Sequence, residues 1–404
     1  MEHARRHTIA MGLVTALVGF ASSFAVVLAG LRAAGATPDQ AASGLAVLCI
    51  VQALGMLWLT WRHRTPLTLA WSTPGAALLA SQGAVDGGWT AAIGAFMLVG
   101  VLIVATGLIR PLARLIGLIP PAIAQAMLAG ILLPLCLAPF TALTGQPWLV
   151  GALIVVWLVM QRLAPRWATP LAFGLALVTM VVTTATDGGV PFAAPSLAWT
   201  TPSLTWGAML GLAIPLYVVT MASQNVPGAA VLKAAGYEAP WKETMLVTGV
   251  GTIAGAGFGG HAVNLAAITA ALPASPESHP DPRRRWIATA TAGWAYLGIA
   301  AIAATLTALV EAAPAGLLEA VAGLALLGTF ASSVSGSFAD PSDRLPAAVT
   351  LLLAASGVAI AGIGSAFWAL LIGLGLRRML TIRPRSTPTA SASGNVHSVT
   401  SQRQ

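Results

Sequence analysis

The residues best suited to chemistry lie where an apolar stretch of this sequence is interrupted by the run Trp71-Ser72-Thr73-Pro74-Gly75. Ser72 or Thr73 can cap a helix that has Pro74 at its first position, where the missing N–H is harmless. The free N–H groups and positive dipole end of such a helix attract an anion. The run therefore predicts a half-helix near residue 73 that begins inside an apolar layer and binds a negatively charged group.

A second interruption contains the glycine-rich run Gly255-Ala256-Gly257-Phe258-Gly259-Gly260, followed by His261 and Asn264. We expect Asn264 to cap a second half-helix. Irregular backbone at membrane depth is tolerated only where protein or a cavity surrounds it. The alternative interpretation is that the glycines only allow close helix packing. Two such breaks in the two halves of the chain favour a binding site between two helix starts.

Polar side chains occur at a third interruption, the run Ser223-Gln224-Asn225-Val226-Pro227-Gly228. Two amides before Pro-Gly are unfavourable in hydrocarbon unless they are hydrogen-bonded. They predict either a substrate-facing kink or hydrogen bonds between helices. Ser22 and Ser23 occupy the corresponding place in the first half, where the alternative to a substrate-facing role is hydrogen bonding to their own helix.

Two residues are candidates for carrying a coupling proton. His261 is the only histidine, and Glu319 the only acid, predicted inside an apolar span. Histidine can titrate near neutral pH, and carboxylates within membranes are often functional. A structural role is the alternative for both residues.

The overall composition indicates that the apolar stretches interrupted by these residues lie in a membrane. The 404 residues include 20 Lys+Arg and 12 Asp+Glu, only 8% in total, and the mean hydropathy is +0.83. So few charges cannot cover the surface of a soluble protein. A soluble enzyme, a nucleic-acid binder and a disordered protein are excluded. No phosphate loop, Cys/His cluster or catalytic pair is present, so we expect no cofactor, no metal and no enzymatic activity.

Hydropathy predicts fourteen membrane spans, several of them short. With this number, 19 of the 20 basic residues fall on the same side as Arg5 and Arg6, and Arg32 is the exception. Both termini are therefore expected in the cytoplasm. Residues 381–404 are rich in Ser and Thr and predict a disordered tail.

An internal repeat explains why Arg32 falls on the opposite side from the other basic residues. Leu31-Arg32-Ala33-Ala34-Gly35 recurs as Leu232-Lys233-Ala234-Ala235-Gly236, at an offset of 201 residues. Because seven spans per half is an odd number, the second half must be inverted, so Arg32 and Lys233 fall on opposite sides. Inverted repeats are typical of secondary transporters, which bind substrate where broken helices meet.

Three motifs together resemble the bacterial benzoate membrane transporters: Gly19-Phe20-Ala21-Ser22-Ser23-Phe24, Trp71-Ser72-Thr73-Pro74-Gly75 and Ser223-Gln224-Asn225-Val226-Pro227-Gly228. The resemblance covers about residues 8–380 and implies a proton-coupled importer of benzoate in the inner membrane. Its implied partners are an aromatic carboxylate, a proton and the lipid bilayer.

A more distant similarity is to the uracil permeases and nucleobase–ascorbate transporters, with Gly257 to Asn264 resembling one of their motifs. It implies an all-α fold with two inverted repeats of seven spans, in which segments 3 and 10 each contain a short strand and a half-helix. It also implies a homodimer through the gate domain. Residues 1–110 and 204–312 would form the core domain, and residues 111–203 and 313–380 the gate domain.

Nucleobase permeases hold their substrate with carboxylates, whereas the matching positions here are near Gln224 and Thr269. This departure favours an anionic substrate. The alternatives are a nucleobase symporter and an anion exchanger or channel of the sulfate-transporter type. The predicted substrate-binding residues are Ser22, Ser23, Trp71, Ser72, Thr73, Gly75, Gln224, Asn225, Gly228, Phe258, His261 and Asn264.

Overall fold

The computed structural model describes residues 2–186, 189, 192–267 and 269–381. The helices of the first half are α1 (Glu2–Ala21), α2 (Phe24–Ala33), α3 (Pro38–His63), α4 (Thr73–Gln82), α5 (Gly88–Leu108), α6 (Arg110–Gly117), α7 (Pro121–Ala142), α8 (Pro147–Leu163) and α9 (Pro165–Thr186). Those of the second half are α10 (Trp206–Ala234), α11 (Trp241–Ala256), α12 (Ala271–Ala274), α13 (Trp286–Glu311), α14 (Leu317–Ser337), α15 (Arg344–Ala355) and α16 (Ser365–Thr381). Two short strands, β1 (Leu69–Trp71) and β2 (Val263–Leu265), complete the fold.

The predicted architecture is confirmed. Eight helices within the described residues are long and apolar enough to cross a membrane. The third segment consists of β1 and α4, and the tenth consists of β2 and the short α12, as expected for inverted repeats of seven segments. The predicted tail lies, from residue 382 onward, outside the described residues.

Two details of the prediction are wrong. The run from Ser223 to Gly228 does not interrupt its span, because a π-helical turn at Met221–Asn225 carries α10 through the run to Ala234. Asn264 does not cap a half-helix, because its backbone lies within β2, opposite Ala70. The helical turn of this segment begins only at Ala271.

The two strands lie side by side in the interior of the protein and pair antiparallel, with Trp71 opposite Val263. The pairing continues on both sides, since Ser72 N donates to Ala262 O at 2.8 Å and Ala266 N donates to Thr68 O at 3.0 Å. A two-stranded ribbon is only marginally stable by itself. Its position therefore depends on the helices around it.

Those helices satisfy the outer edges of the ribbon with side chains. Gln52 Oε1 of α3 accepts from Trp71 N at 3.0 Å. Thr252 Oγ1 of α11 accepts from Val263 N at 3.0 Å, and Asn225 Oδ1 of α10 accepts from Leu265 N at 2.9 Å. Without water at this depth, these bonds replace the missing neighbouring strands.

The helices pack into two groups. Around the ribbon, α3 packs on α13 and α11 on α5, so helices of the two halves alternate. Beside them, α7 packs on α14 and α15. Helix α2 packs against α4, where Gly30 allows the helix backbones to approach closely. This contact positions the first half-helix.

We expect Gly30→Ala to lower the midpoint of thermal unfolding by several degrees in detergent. A Cβ atom at Gly30 would lie 2.4 Å from the backbone oxygen of Ala76, so α4 would have to shift, and such overpacking destabilises by about 1–3 kcal/mol. The control is Gly298→Ala in α13, where no atom lies within 4 Å of the new Cβ. An unchanged midpoint for Gly30→Ala would contradict the close contact.

Candidate functional site

A cavity of about 680 Å³ lies between the strand pair and the helices α7, α8 and α14. This volume is in the range of small-molecule sites. Its polar and aromatic lining residues come from both halves of the chain: Ser22, Ser23, Trp71, Thr73, Gln125, Trp157, Gln161, Arg166, Thr169, Ser223, Gln224, Thr269, Tyr296, Thr329, Ser332 and Ser333.

Five predicted binding residues line this cavity: Ser22, Ser23, Trp71, Thr73 and Gln224. Ser22 and Ser23 lie in the break between α1 and α2, where both hydroxyls donate to Gly19 O. The indole Nε1 of Trp71 donates to Ser23 Oγ at 2.8 Å. The indole is thereby locked in orientation, with one edge toward the cavity.

Helix α4 begins at Thr73, as predicted, but Pro74 occupies its second position and not its first. Ser72 is the N-cap, and its Oγ accepts from Gly75 N at 3.1 Å and from Thr220 Oγ1 at 2.8 Å. Pro74 has no N–H, so the Thr73 amide is the remaining donor of the first three positions. Thr73 and Pro74 line the cavity, whereas Ser72 and Gly75 hold the helix start behind it.

Three further predicted residues lie behind the cavity wall. Asn225 is buried and holds β2 through Leu265 N. Gly228 allows α10 to approach Ala266, because a Cβ there would lie 2.8 Å from Ala266 O. Asn264 is fully buried, and its amide donates to the adjacent Leu265 O. These residues support the site without lining it.

Phe258, His261 and Glu319 do not line the cavity. The ring of Phe258 packs on Trp199, with centroids 5.2 Å apart. His261 is fully buried beside Phe96, and within the described residues neither ring nitrogen has a hydrogen-bond partner. Glu319 is exposed in the first turn of α14.

The cavity is also lined by four residues that were not predicted from the sequence: Tyr296, Gln125, Trp157 and Arg166. Tyr296 packs edge-on against Trp71, with centroids 6.0 Å apart. Gln125 lies against Gly336, where a Cβ would fall 1.5 Å from its Oε1. A signal existed for the first two, since each is a polar residue inside a predicted apolar span. Trp157 and Arg166 gave none, because only the packing of α8 and α9 brings them to the cavity.

The charge of the cavity lining indicates what kind of molecule it can bind. Arg166 is the only charged residue among the described residues that line the cavity, and no carboxylate or histidine is among them. Hydroxyls, amides and a helix start supply hydrogen-bond donors, and Trp71, Trp157 and Tyr296 supply aromatic surfaces. Such a lining suits a small anion with an apolar body. No group of residues in the described ranges has the composition of a metal site.

The two ends of the cavity differ. Toward the end where α1 begins, Arg166 lines the wall with its side chain 60% exposed. We call this the open end. At the opposite end of α4, Gln82 Nε2 donates to Gly211 O at 2.9 Å and packs against Gly364 so closely that a Cβ there would lie 2.4 Å away. These contacts join α4 to α10 and to the segment before α16 on that side.

Solved structures share this fold. The transmembrane domain of the cyanobacterial bicarbonate transporter BicA aligns with a TM-score of 0.57 at 15% identity, over 94% of this chain and 98% of that one. The anion transporter SLC26A9 aligns with a TM-score of 0.66 at 12% identity, over 92% of this chain and 65% of that one. At identities this low, the structural similarity establishes the fold of seven-plus-seven inverted repeats and nothing about the substrate.

Sequence comparisons establish the family. The model of the benzoate membrane transport protein family matches residues 2–379. The inner membrane protein YdcO of Escherichia coli (strain K12) is 40% identical over 371 residues, 91% of this chain and 94% of that protein. A benzoate membrane transport protein of Acinetobacter baylyi (strain ATCC 33305 / BD413 / ADP1) is 29% identical over 384 residues, 93% of this chain and 95% of that protein. The chain therefore belongs to the benzoate membrane transport protein family.

Proposed function

We propose that this chain imports benzoate, or a related aromatic monocarboxylate, together with a proton. The observation that carries the proposal is the lining of the cavity. It combines one guanidinium, a helix start and neutral donors with three aromatic side chains, and its described residues include no carboxylate. The membership of the family and the name of the Acinetobacter relative support the same substrate.

The substrate carboxylate would lie near the start of α4. There the backbone amide of Thr73 and the side-chain amide of Gln224 offer donors. Ser22 and Ser23 line the wall beside them, and their hydroxyls donate to Gly19 O. Trp71, Trp157 and Tyr296 would contact the ring. Ser72, Gly75, Asn225, Gly228 and Asn264 act from behind, by holding the helix start and the strands. Phe258 would not contact the substrate, because it does not line the cavity.

A nucleobase fits the same cavity less well. The nucleobase permeases use carboxylates at two positions, and here Gln224 and Thr269 occupy the matching places. Competition of benzoate uptake by uracil or xanthine would support the nucleobase alternative.

Proton coupling follows from the charge of the substrate. An inside-negative potential opposes entry of an anion by about 2.3 kcal/mol per 100 mV, and one cotransported proton cancels this opposition. The described lining holds no carboxylate or histidine that could bind that proton. His261 and Glu319 would have to act from outside the cavity.

The open end would face the cytoplasm. It lies beside the start of α1, and the basic residues around the N-terminus favour the cytoplasmic side. The contacts of Gln82 would then close the periplasmic side, so the structure would correspond to an inward-facing state. Transport would proceed by movement of α7–α9 and α14–α16 as a gate against the remaining core. A homodimer through that gate is part of the proposal.

We expect purified protein in liposomes to accumulate radiolabelled benzoate when the lumen is made alkaline relative to the outside. Uptake should collapse to equilibration when a protonophore removes the gradient. Liposomes without protein are the control. Electrogenic current that does not depend on the pH gradient would contradict symport and support an anion channel or exchanger.

We expect Gln224→Leu to raise the KM for benzoate about ten- to a hundredfold, since a hydrogen bond to a charged group contributes about 1.5–3 kcal/mol. The matched control is Gln146→Leu, because Gln146 lies outside the cavity at the start of α8. Equal KM values for Gln224→Leu and the wild type would remove Gln224 from the site.

His261→Gln should retain gradient-driven accumulation, because the imidazole is buried beside Phe96 and is not part of the cavity wall. Two measurements separate the roles: accumulation against a gradient, and exchange of labelled for unlabelled benzoate. If accumulation is lost while exchange persists, His261 carries the coupling proton and this prediction is wrong.

A further inference from the structure

The open end of the cavity contains an ion pair between segments that are far apart in sequence. Arg166 Nη1, at the start of α9, lies 3.8 Å from Glu277 Oε2, in the segment between α12 and α13. Their side chains are 60% and 73% exposed. An ion pair this exposed adds little to stability, because water screens it and the side chains lose freedom on pairing. The guanidinium can therefore exchange its partner readily.

The position of the Glu277 backbone is well defined. His7 Nε2 lies 2.8 Å from Glu277 O, and Thr8 Oγ1 donates to Ser278 O at 2.9 Å. These bonds hold the segment between α12 and α13 against α1. The backbone of Glu277 is thus fixed beside Arg166, while its side chain is exposed to solvent.

Arg166 differs from the other arginines of this end of the bundle. Arg162, four residues earlier, is exposed but does not line the cavity, whereas Arg166 is a wall residue. A planar guanidinium presents paired N–H donors that match a carboxylate. Its present partner, Glu277, offers the same chemical group as the substrate of the proposed function.

We propose that Arg166 forms a second carboxylate site at the open end and that Glu277 is its built-in competitor. This inference rests on the proposed function. A substrate anion leaving the start of α4 displaces Glu277 from the guanidinium, and the return of Glu277 releases the anion to water. The competition keeps the second site weak enough for the substrate to leave.

The distinguishing expectation is that neutralising the two members of the pair changes affinity in opposite directions. Arg166→Gln removes the cation and should raise the Kd for benzoate about tenfold. Glu277→Gln removes the competitor and should lower the Kd several-fold. A purely structural ion pair would weaken binding, or leave it unchanged, in both variants.

Isothermal titration of the full-length protein in detergent with sodium benzoate tests this, at low and at high salt. Arg162→Gln and Glu238→Gln are the matched controls, since both residues are exposed and neither lines the cavity. Thermal unfolding of each variant establishes that it is folded. The difference between Arg166→Gln and the wild type should shrink at high salt, because exposed charges are screened.

Failure of the second site and failure of the proposed function would give different results. If the wild type binds benzoate and both variants shift the Kd in the same direction or not at all, the second site is wrong while the proposed function stands. If the folded wild type binds no benzoate, the proposed function is overturned, and this inference with it. Equal effects of Arg162→Gln and Arg166→Gln would assign the change to the net charge of this end and would also overturn the second site.

Discussion

The rest of the structure depends on the need to hydrogen-bond the non-helical backbone inside the membrane. Five residue pairs link the segments around β1 and β2, but a ribbon of two strands has two unpaired edges. Gln52, Thr252 and Asn225 close those edges from three different helices. Buried polar side chains in an apolar span are therefore explained here by the backbone they satisfy.

The interruption between β1 and α4 also forms part of the cavity wall. Where β1 ends, α4 must begin at membrane depth, and its first N–H groups have no partners within the helix. Ser72 satisfies one of them, Pro74 removes another, and the region around Thr73 faces a cavity. Trp71, locked by Ser23, places an aromatic edge beside the helix start. The chemistry for a carboxylate and the surface for a ring thus follow from one local interruption.

The second break is not a copy of the first. Asn264 lies within β2, and the helical turn Ala271–Ala274 is too short and too far along the chain to aim a comparable dipole at the same point. The positive character of the cavity therefore comes from α4 and from Arg166. The asymmetry between the inverted halves puts the proposed anion site closer to the first repeat than the sequence predicted.

The architecture and the first half-helix could be predicted from the sequence. Low charge, fourteen apolar stretches and the distribution of basic residues predict a membrane protein of inverted repeats, and Ser72 with Pro74 predicts a helix start, because these signals are local. Which polar residues face the cavity depends on the packing of the segments and could not be predicted. Asn225 and Asn264 serve the strands while Gln224 lines the site, although all three are amides in apolar surroundings. Arg166 joins the site only through the packing of α9, since the orientation of a side chain toward a cavity depends on contacts between segments far apart in the chain.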